Sequence, residues 1–181
     1  CYYVAHSQWM MQKLINKFGF KKKKIFLNKF YPINFKIFKP RNKIGLRKKH
    51  NLPLQKKIIL FSSSDIKDER KGIKYFIKIA NHFKNDASFY FVTLGNSKNI
   101  NLSIKNKNYS HIEFLSHNKS AEIYSLSDFY VCTSIIDNLP LTILESMSSG
   151  LPVITFDNGG SKEAVMDNGY IVKNRDYQSI I

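Results

Sequence analysis

Three charged side chains and a pair of glycines carry the chemistry that can be read from this chain: Lys71, Asp137, Glu145 and Gly159-Gly160. Lys71 stands directly before Gly72, where an apolar-periodic segment begins. A lysine beside a helix N-terminus pairs with phosphate as a point charge; a solvated lysine is the plain alternative. Asp137 and Glu145 are separated by seven residues across a loop-to-helix junction. Glu145 lies one turn into a helix among Leu141, Leu144 and Met147, and a carboxylate near that apolar face needs a partner. Ligand hydroxyls suit it, because one carboxylate accepts two of them. A salt bridge to lysine or simple exposure would serve as well. Asp137 reads equally as a helix cap. Gly159-Gly160 permits positive φ and close approach of backbone to a ligand, or merely a tight turn. No single signal is specific, but their combination and order are far more so.

The elements that hold these residues follow from punctuation and periodicity. After the polar turn Asp137-Asn138, Pro140 fits the first turn of a helix. Leu141, Leu144 and Met147 supply its apolar stripe, and Gly150 stops it. Val153 to Phe156 reads as a buried strand. Gly159-Gly160 leads into a second helix from Ser161, with Glu163 in its first turn. Both helix N-termini point the same way, with unpaired N–H groups and partial positive charge that suit phosphate. Upstream, strands are predicted at 25–27, 57–62, 88–94, 112–115 and 129–133, and a last one at 169–173. Ser7 caps a helix running to Phe18, another begins at Ile73, and a third is capped by Ser116 or Asn118. Residues 62–72 and 96–110 read as polar loops. The strands are short and apolar on both faces, and from residue 57 they alternate with helices. This predicts an α/β fold, a doubly wound, Rossmann-like parallel sheet with helices on both sides. Such sheets bind ligands at the carboxyl ends of their strands. Lys71, Asp137 and Gly159-Gly160 then share one rim, with Glu145 just behind it. Tyr31 to Pro40 reads as a linker, dividing the chain into 1–30, 31–40 and 41–181.

Composition bounds the partners. With 181 residues, 43% of them hydrophobic, the chain can build one core and a piece of a second domain. The formal charge is +16, from 29 Lys and Arg against 13 Asp and Glu. The excess is mostly lysine and travels with Asn, Ile and Phe, as in AT-rich genomes. Attraction to a membrane surface is the next reading. The Arg–aromatic interleaving of RNA readers is missing, so nucleic acid is not an expected partner. Cys1 and Cys132 make neither a disulfide framework nor a metal site. The histidines are scattered, and no metal is expected. No apolar run reaches the length of a bilayer span, and residues 1–15 lack a signal-peptide pattern. The absent initiator Met and the abrupt end at Ile181 lead us to expect a piece of a longer protein.

The string DNLPLTILESMSSGLPVITFDNGGSKE (residues 137–163) resembles the donor-site signature of the family 4 retaining glycosyltransferases, which have the GT-B fold. Asp137, usually Glu in that family, and Glu145 match its two acidic positions. SMSSGLPVI matches the run that follows, and Asp157, Gly159, Gly160 and Glu163 match its tail. YPINFKIFKP resembles the interdomain linker, with Asn34 in place of the usual Asp. Arg70-Lys71-Gly72 resembles the Lys-Gly start of the first helix, and SQWMMQKL the last helix of the N-terminal domain. The resemblance implies a C-terminal, donor-binding half. Glu145 would hold the ribose hydroxyls of a UDP- or GDP-sugar, and Lys71 its diphosphate. Asp137 and the backbone of Asn138, Leu139 and Pro140 would contact the sugar. Backbone N–H groups near Leu141 and Thr142 would help neutralise the phosphates. Phe114, Leu115 and Ser116 would lie near the base. No cofactor or metal is implied. A saccharide or lipid-linked acceptor would bind mainly the N-terminal domain, of which 1–30 would be the tail. Family context implies surface polysaccharide or lipopolysaccharide synthesis by a cytoplasmic protein, with peripheral contact at the inner face of a bacterial membrane.

Two departures stand out. The Gly-Arg that often follows the first strand of this domain is replaced by SSSD, leaving Arg70 or Lys67 to assist Lys71. Asp at 137 is one methylene shorter than Glu. Two other functions compete: a sugar-nucleotide epimerase of related fold, and a non-enzymatic basic domain docking on anionic membrane or nucleic acid. The absence of G-x-G-x-x-G weakens a dinucleotide reading.

Overall fold

The computed structural model describes residues 1–28, 33–97, 102–114, 116–166 and 168–181. Its first part is a β-α-β unit. Strand β1 (Tyr3–Ala5), helix α1 (Gln8–Asn16) and strand β2 (Ile25–Leu27) follow one another, and β1 and β2 pair in parallel as a sheet of their own. Ser7 caps α1 as expected, its hydroxyl accepting from Met10 N–H at 3.1 Å. The helix ends before Phe18, which lies 61% exposed in the following turn. Lys21–Lys24 are exposed, as expected of a charged surface turn. β1 escaped the sequence reading because three residues carry too little periodicity.

Residues 31 and 32 of the predicted linker lie outside the described residues. The remainder is mostly exposed but is anchored at Phe38, which is buried, edge-on to Tyr124 at 6.0 Å. An unpredicted helix, α2 (Lys43–Lys49), comes next. Its apolar pattern is too sparse to read, because a buried arginine fixes it. Arg47 donates to the carbonyls of Leu126, Leu54 and Lys56 and to Asp128 Oδ2. Asp128 also accepts from Lys43 Nζ at 2.9 Å and Ile58 N–H at 2.7 Å.

The main body alternates as predicted. β3 (Lys57–Asp65), α3 (Ile73–His82), β4 (Phe89–Asn96), β5 (Tyr109–Ile112), α4 (His117–Leu126), β6 (Phe129–Cys132), α5 (Leu141–Ser148), β7 (Val153–Phe156), α6 (Ser161–Val165) and β8 (Gly169–Val172) follow in order. The strands form one parallel sheet, β5-β4-β3-β6-β7-β8. Alternate residues feed opposite faces. Ile58 and Leu60 join the core under α4 and α5, while Ile59 and Phe61 join the core under α3.

Three expectations need correction. β3 runs to Asp65 rather than Ser62, because Ser62 and Ser63 are buried and find partners within the fold. The strand expected at 112–115 lies at Tyr109–Ile112. Its polar side chains hid it, yet they bond across the sheet: Tyr109 and His111 both reach Thr93 Oγ1, at 2.8 and 2.9 Å. On α5 Leu144 and Met147 pack against the core as expected, but the fully buried positions are Ile143 and Ser146, and Leu141 is 44% exposed. Pro140 is its N-cap rather than its first helical residue.

Arg47→Ala should destabilise the chain by about 3 kcal/mol, the usual scale for breaking a buried pair. A shift in the urea midpoint measures it. Burial raises the Asp128 pKa, but the hydrogen bonds from Lys43, Ile58 and Arg47 outweigh it and hold the carboxyl below its ordinary 3.8. Its stabilising contribution is therefore complete above that pH and lost as acid drives the pH through the folded value. Asp128→Asn should flatten this acid dependence.

Candidate functional site

The chain leaves β3 towards β4 on one side and leaves β6 towards β7 on the other. The loops after these neighbouring strands therefore part at their carboxyl ends, where open α/β sheets bind ligands. A cleft of roughly 170 Å³ lies there, lined among others by Ser62–Ser64, Phe114, His117, Tyr124, Thr142 and Glu145.

Lys71 and Asp137 meet on this rim. Lys71 Nζ lies 2.6 Å from Asp137 Oδ2, with side chains 26% and 15% exposed. Several contacts position them. Thr133 Oγ1 donates to Gly72 O at 2.9 Å, and Ile135 N–H donates to Arg70 O at 2.7 Å. Gly72 has φ of 71°, and a Cβ there would stand 1.9 Å from Thr133 O. Only glycine lets the loop after β3 lie this close to the loop after β6. Arg70 does not face the rim as a spare cation. It is exposed and forked onto Asp68 at 3.0 and 2.7 Å.

Glu145 sits in the cleft wall. Burial raises its pKa above the ordinary carboxylate value, and a hydrogen bond from Tyr124 and the nearby His117 offset this in part. Tyr124 OH donates to Glu145 Oε2 at 3.2 Å and lies 2.6 Å from Ser62 Oγ, which also reaches Tyr130 OH at 3.3 Å. Burial pushes both tyrosines well above the ordinary phenol pKa, so they are neutral donors. Tyr124, His117 and Ser62–Ser64 were missed as site residues. Tyr124 reads as a core position at helical spacing, and only the fold reveals that its hydroxyl faces Glu145.

The remaining predicted residues distribute as follows. Thr142 and Phe114 line the cleft with Glu145, and Phe114 is edge-on to His117 at 5.9 Å. Ser116 is the N-cap of α4, accepting from Lys119 N–H. Leu115 lies outside the described residues. Pro140 is buried and Leu139 partly so. The N-cap of α5, Pro140, supplies no side-chain hydrogen bond, nor does Gly72 at α3. Both helix starts thus keep backbone N–H groups without a capping side chain. The glycine pair differs from expectation in what it approaches. A Cβ on Gly159 would stand 2.0 Å from Asp137 O, and one on Gly160 1.7 Å from Asn138 O. The close contact is with the chain's own turn, and Gly160 N–H donates to Asp137 O at 2.8 Å. Asn138 Oδ1 accepts from Ser7 Oγ at 2.7 Å.

A sequence profile of the family described as Glycosyl transferases group 1 matches residues 42–181. Over 68 residues the chain is 37% identical to spore coat protein SA of Bacillus subtilis, a match covering 34% of this chain and 18% of that protein. The C-terminal domain of the glycosyl transferase group 1 family protein LpcC from Francisella tularensis shares 25% identity at a TM-score of 0.68, covering 82% of this chain and 83% of that one. Anabaena HepE in complex with UDP-glucose superposes with a TM-score of 0.80 at 16% identity. That match covers 98% of this chain and 51% of HepE, and it shows the fold alone. The chain thus spans about half of HepE and under a fifth of the spore coat protein. Among the described residues no helix is long and apolar enough to cross a membrane.

An acid whose folded pKa is raised costs stability when ionised. That cost is relieved as the pH falls through the folded value. Glu145→Gln should therefore raise the urea midpoint at pH 8, with the gain shrinking as the pH is lowered. No gain at pH 8 would mean that the carboxylate is adequately solvated.

Proposed function

The chain belongs to the Glycosyl transferases group 1 family, and on that premise we propose that it is the donor-binding half of a retaining glycosyltransferase. The donor is a UDP- or GDP-sugar. The observation that supports this reading is the Lys71–Asp137 pair on the loops after β3 and β6, with Glu145 in the wall of the cleft at the switch between these strands. Glu145 accepts the pentose hydroxyls, which add to the hydrogen bond its half-buried carboxylate accepts from Tyr124. The diphosphate sits against Lys71 and the uncapped start of α5, with the sugar towards Asp137 and the base towards Phe114 and Ser116. In the reaction the bond from the anomeric carbon to the terminal phosphate oxygen breaks, the acceptor hydroxyl oxygen takes its place on the same face, and the hydroxyl proton passes to the departing diphosphate. Lys71 and the helix N–H groups are fixed before the leaving diphosphate gains charge, so they lower the barrier without reorganising. Donor phosphate competes with Asp137 for the Lys71 ammonium. The reading gives no role to a metal or cofactor. Residues 1–30 belong to an acceptor-binding domain, 31–40 join it to 41–181, and the acceptor is a saccharide or a lipid-linked saccharide of bacterial surface polysaccharide or lipopolysaccharide synthesis.

A second element of the reading is peripheral contact with an anionic membrane on its cytoplasmic face. Residues 1–64 hold 16 Lys and Arg and no Asp or Glu, whereas residues 65–181 hold 13 of each. The whole +16 therefore sits in the first third of the chain, which uniform genomic bias does not account for. Six of these lysines, Lys13, Lys17 and Lys21–Lys24, are exposed along α1 and the turn into β2. Lysines of this kind attract acidic headgroups at about 1 kcal/mol each near the surface. Of the two arginines, Arg47 is spent inside the fold and Arg41 bonds the Ile37 carbonyl. This favours headgroups over the bidentate readout of nucleic acid.

Titration with UDP and GDP should show binding of one of them. Glu145→Ala should weaken it by ~1.5–3 kcal/mol, the scale of hydrogen bonds to a charged group; unchanged affinity would remove Glu145 from the site. In vesicle sedimentation the chain should bind phosphatidylglycerol-containing vesicles and not pure phosphatidylcholine. Replacing Lys21–Lys24 with serine should reduce that binding. Preference for RNA over vesicles at equal salt would reverse the assignment of partner.

A further inference from the structure

We propose that Ser7 and Glu163 are positioning residues that make the start of α1 a wall of the donor site. The inference rests on the donor-site reading above. Glu163 lies in the first turn of α6, yet its carboxylate does not serve its own helix. Oε2 accepts from Gln8 N–H at 2.7 Å and Oε1 from Trp9 N–H at 2.8 Å, across more than 150 residues of sequence. A carboxylate at a helix N-terminus is held by charge-assisted bonds and by the helix dipole together. Ser7, the cap of that same helix, is fully buried. Its hydroxyl accepts from Met10 N–H and donates to Asn138 Oδ1 at 2.7 Å. This fixes the orientation of the Asn138 amide and leaves its Nδ2 as a donor.

The contacts close a circuit. Ser7 Cβ stands 3.1 Å from where a Cβ on Gly160 would lie. Gly160 donates to Asp137 O, and the Asp137 side chain holds Lys71. Three segments remote in sequence, 7–9, 137–138 and 158–163, therefore meet at one point. A shift of α1 displaces Asn138 first, and through Asp137 it reaches the ammonium that faces the diphosphate. Glu163 sets the seat of α1, and Ser7 passes that seat to the loop. Neither touches the ligand.

Two measurements on the 181-residue chain separate positioning from simple bracing. In the nucleotide-free protein, backbone amide resonances of 137–139 and 141 and the Lys71 ammonium resonance should shift in Ser7→Ala and in Glu163→Gln. With UDP or GDP, whichever binds, both variants should lose about fivefold or more in affinity while their thermal midpoints stay near the parent's. Lys162→Ala, on the same helix, should change neither. Lowered midpoints with unchanged resonances at 137–139 and 141 would reduce the contact to a structural tie and overturn the inference. If the parent binds neither nucleotide, the donor reading fails, and the resonance shifts still decide whether α1 positions the loop.

Discussion

No side chain fits between the Asp137-Asn138 turn and the glycine pair at 159–160. A Cβ at either glycine would overlap a carbonyl oxygen at 2.0 Å or less. The rest of the rim depends on this contact. It presses the loop after β6 against the loop after β7, and the hydrogen bond from Gly160 to Asp137 O fixes the backbone whose side chain grips Lys71. Gly72 plays the same part on the other flank, against Thr133 O. The loop carrying Asp137 is therefore clamped from both sides by backbone contacts that admit only glycine, and α5 must start where Pro140 leaves that loop. The carboxylate on this loop gains rigidity from main-chain packing, not from side-chain bulk.

The electrostatics of the rim run against stability and so point to use. Lys71 and Asp137 neutralise one another in a half-buried pair. Glu145 is placed where burial opposes its charge, and the Tyr124 hydroxyl and nearby His117 offset this only in part. A chain shaped only for stability would put a neutral residue there. Tyr124 shows the arrangement to be built rather than accidental. Its ring fills the core beneath α4, while its hydroxyl bridges the end of β3 to Glu145. Such sites characteristically give up stability for function.

The legibility of the fold followed the physics of each segment. Strands β3, β4, β6 and β7 were readable because a strand covered on both faces must be apolar throughout. β5, at the sheet edge, was misplaced because its tyrosine, serine and histidine each bond a neighbour on β4 that a local pattern does not show. α2 was invisible for a related reason. Its stability comes from Arg47 reaching carbonyls at 54, 56 and 126, contacts that exist only after the sheet forms. Type and spacing singled out Lys71, Asp137 and Glu145, and the structure places the first two in contact and the third in the cleft wall. Tyr124, His117 and the Ser62–Ser64 strand end were not singled out, because they look like core, surface and loop until the switch in strand order brings them together. The glycine pair was readable as a point of close approach, but the sequence could not say that the approaching group was the chain's own Asp137-Asn138 backbone.

The partition of charge gives the rim a further meaning. Lys71 and Asp137 cancel, and Glu145, once ionised, adds a negative charge, so these three side chains present no net attraction to a diphosphate. The serines that stand where relatives often carry arginine supply none either. Close attraction must then come from dipoles already in place, the uncapped starts of α3 and α5, whose reach is about one helical turn. The lysines of residues 1–64 act at longer range, but ionic screening confines them to roughly 8–10 Å at physiological salt. A ligand whose charge was its only credential would find the lysines of α1 and the following turn more attractive than this crevice. On the proposed reading, the crevice would select instead for a ligand that brings hydroxyls to Glu145 along with its phosphates, and that requirement, more than charge, would separate the rim from the rest of a strongly basic surface.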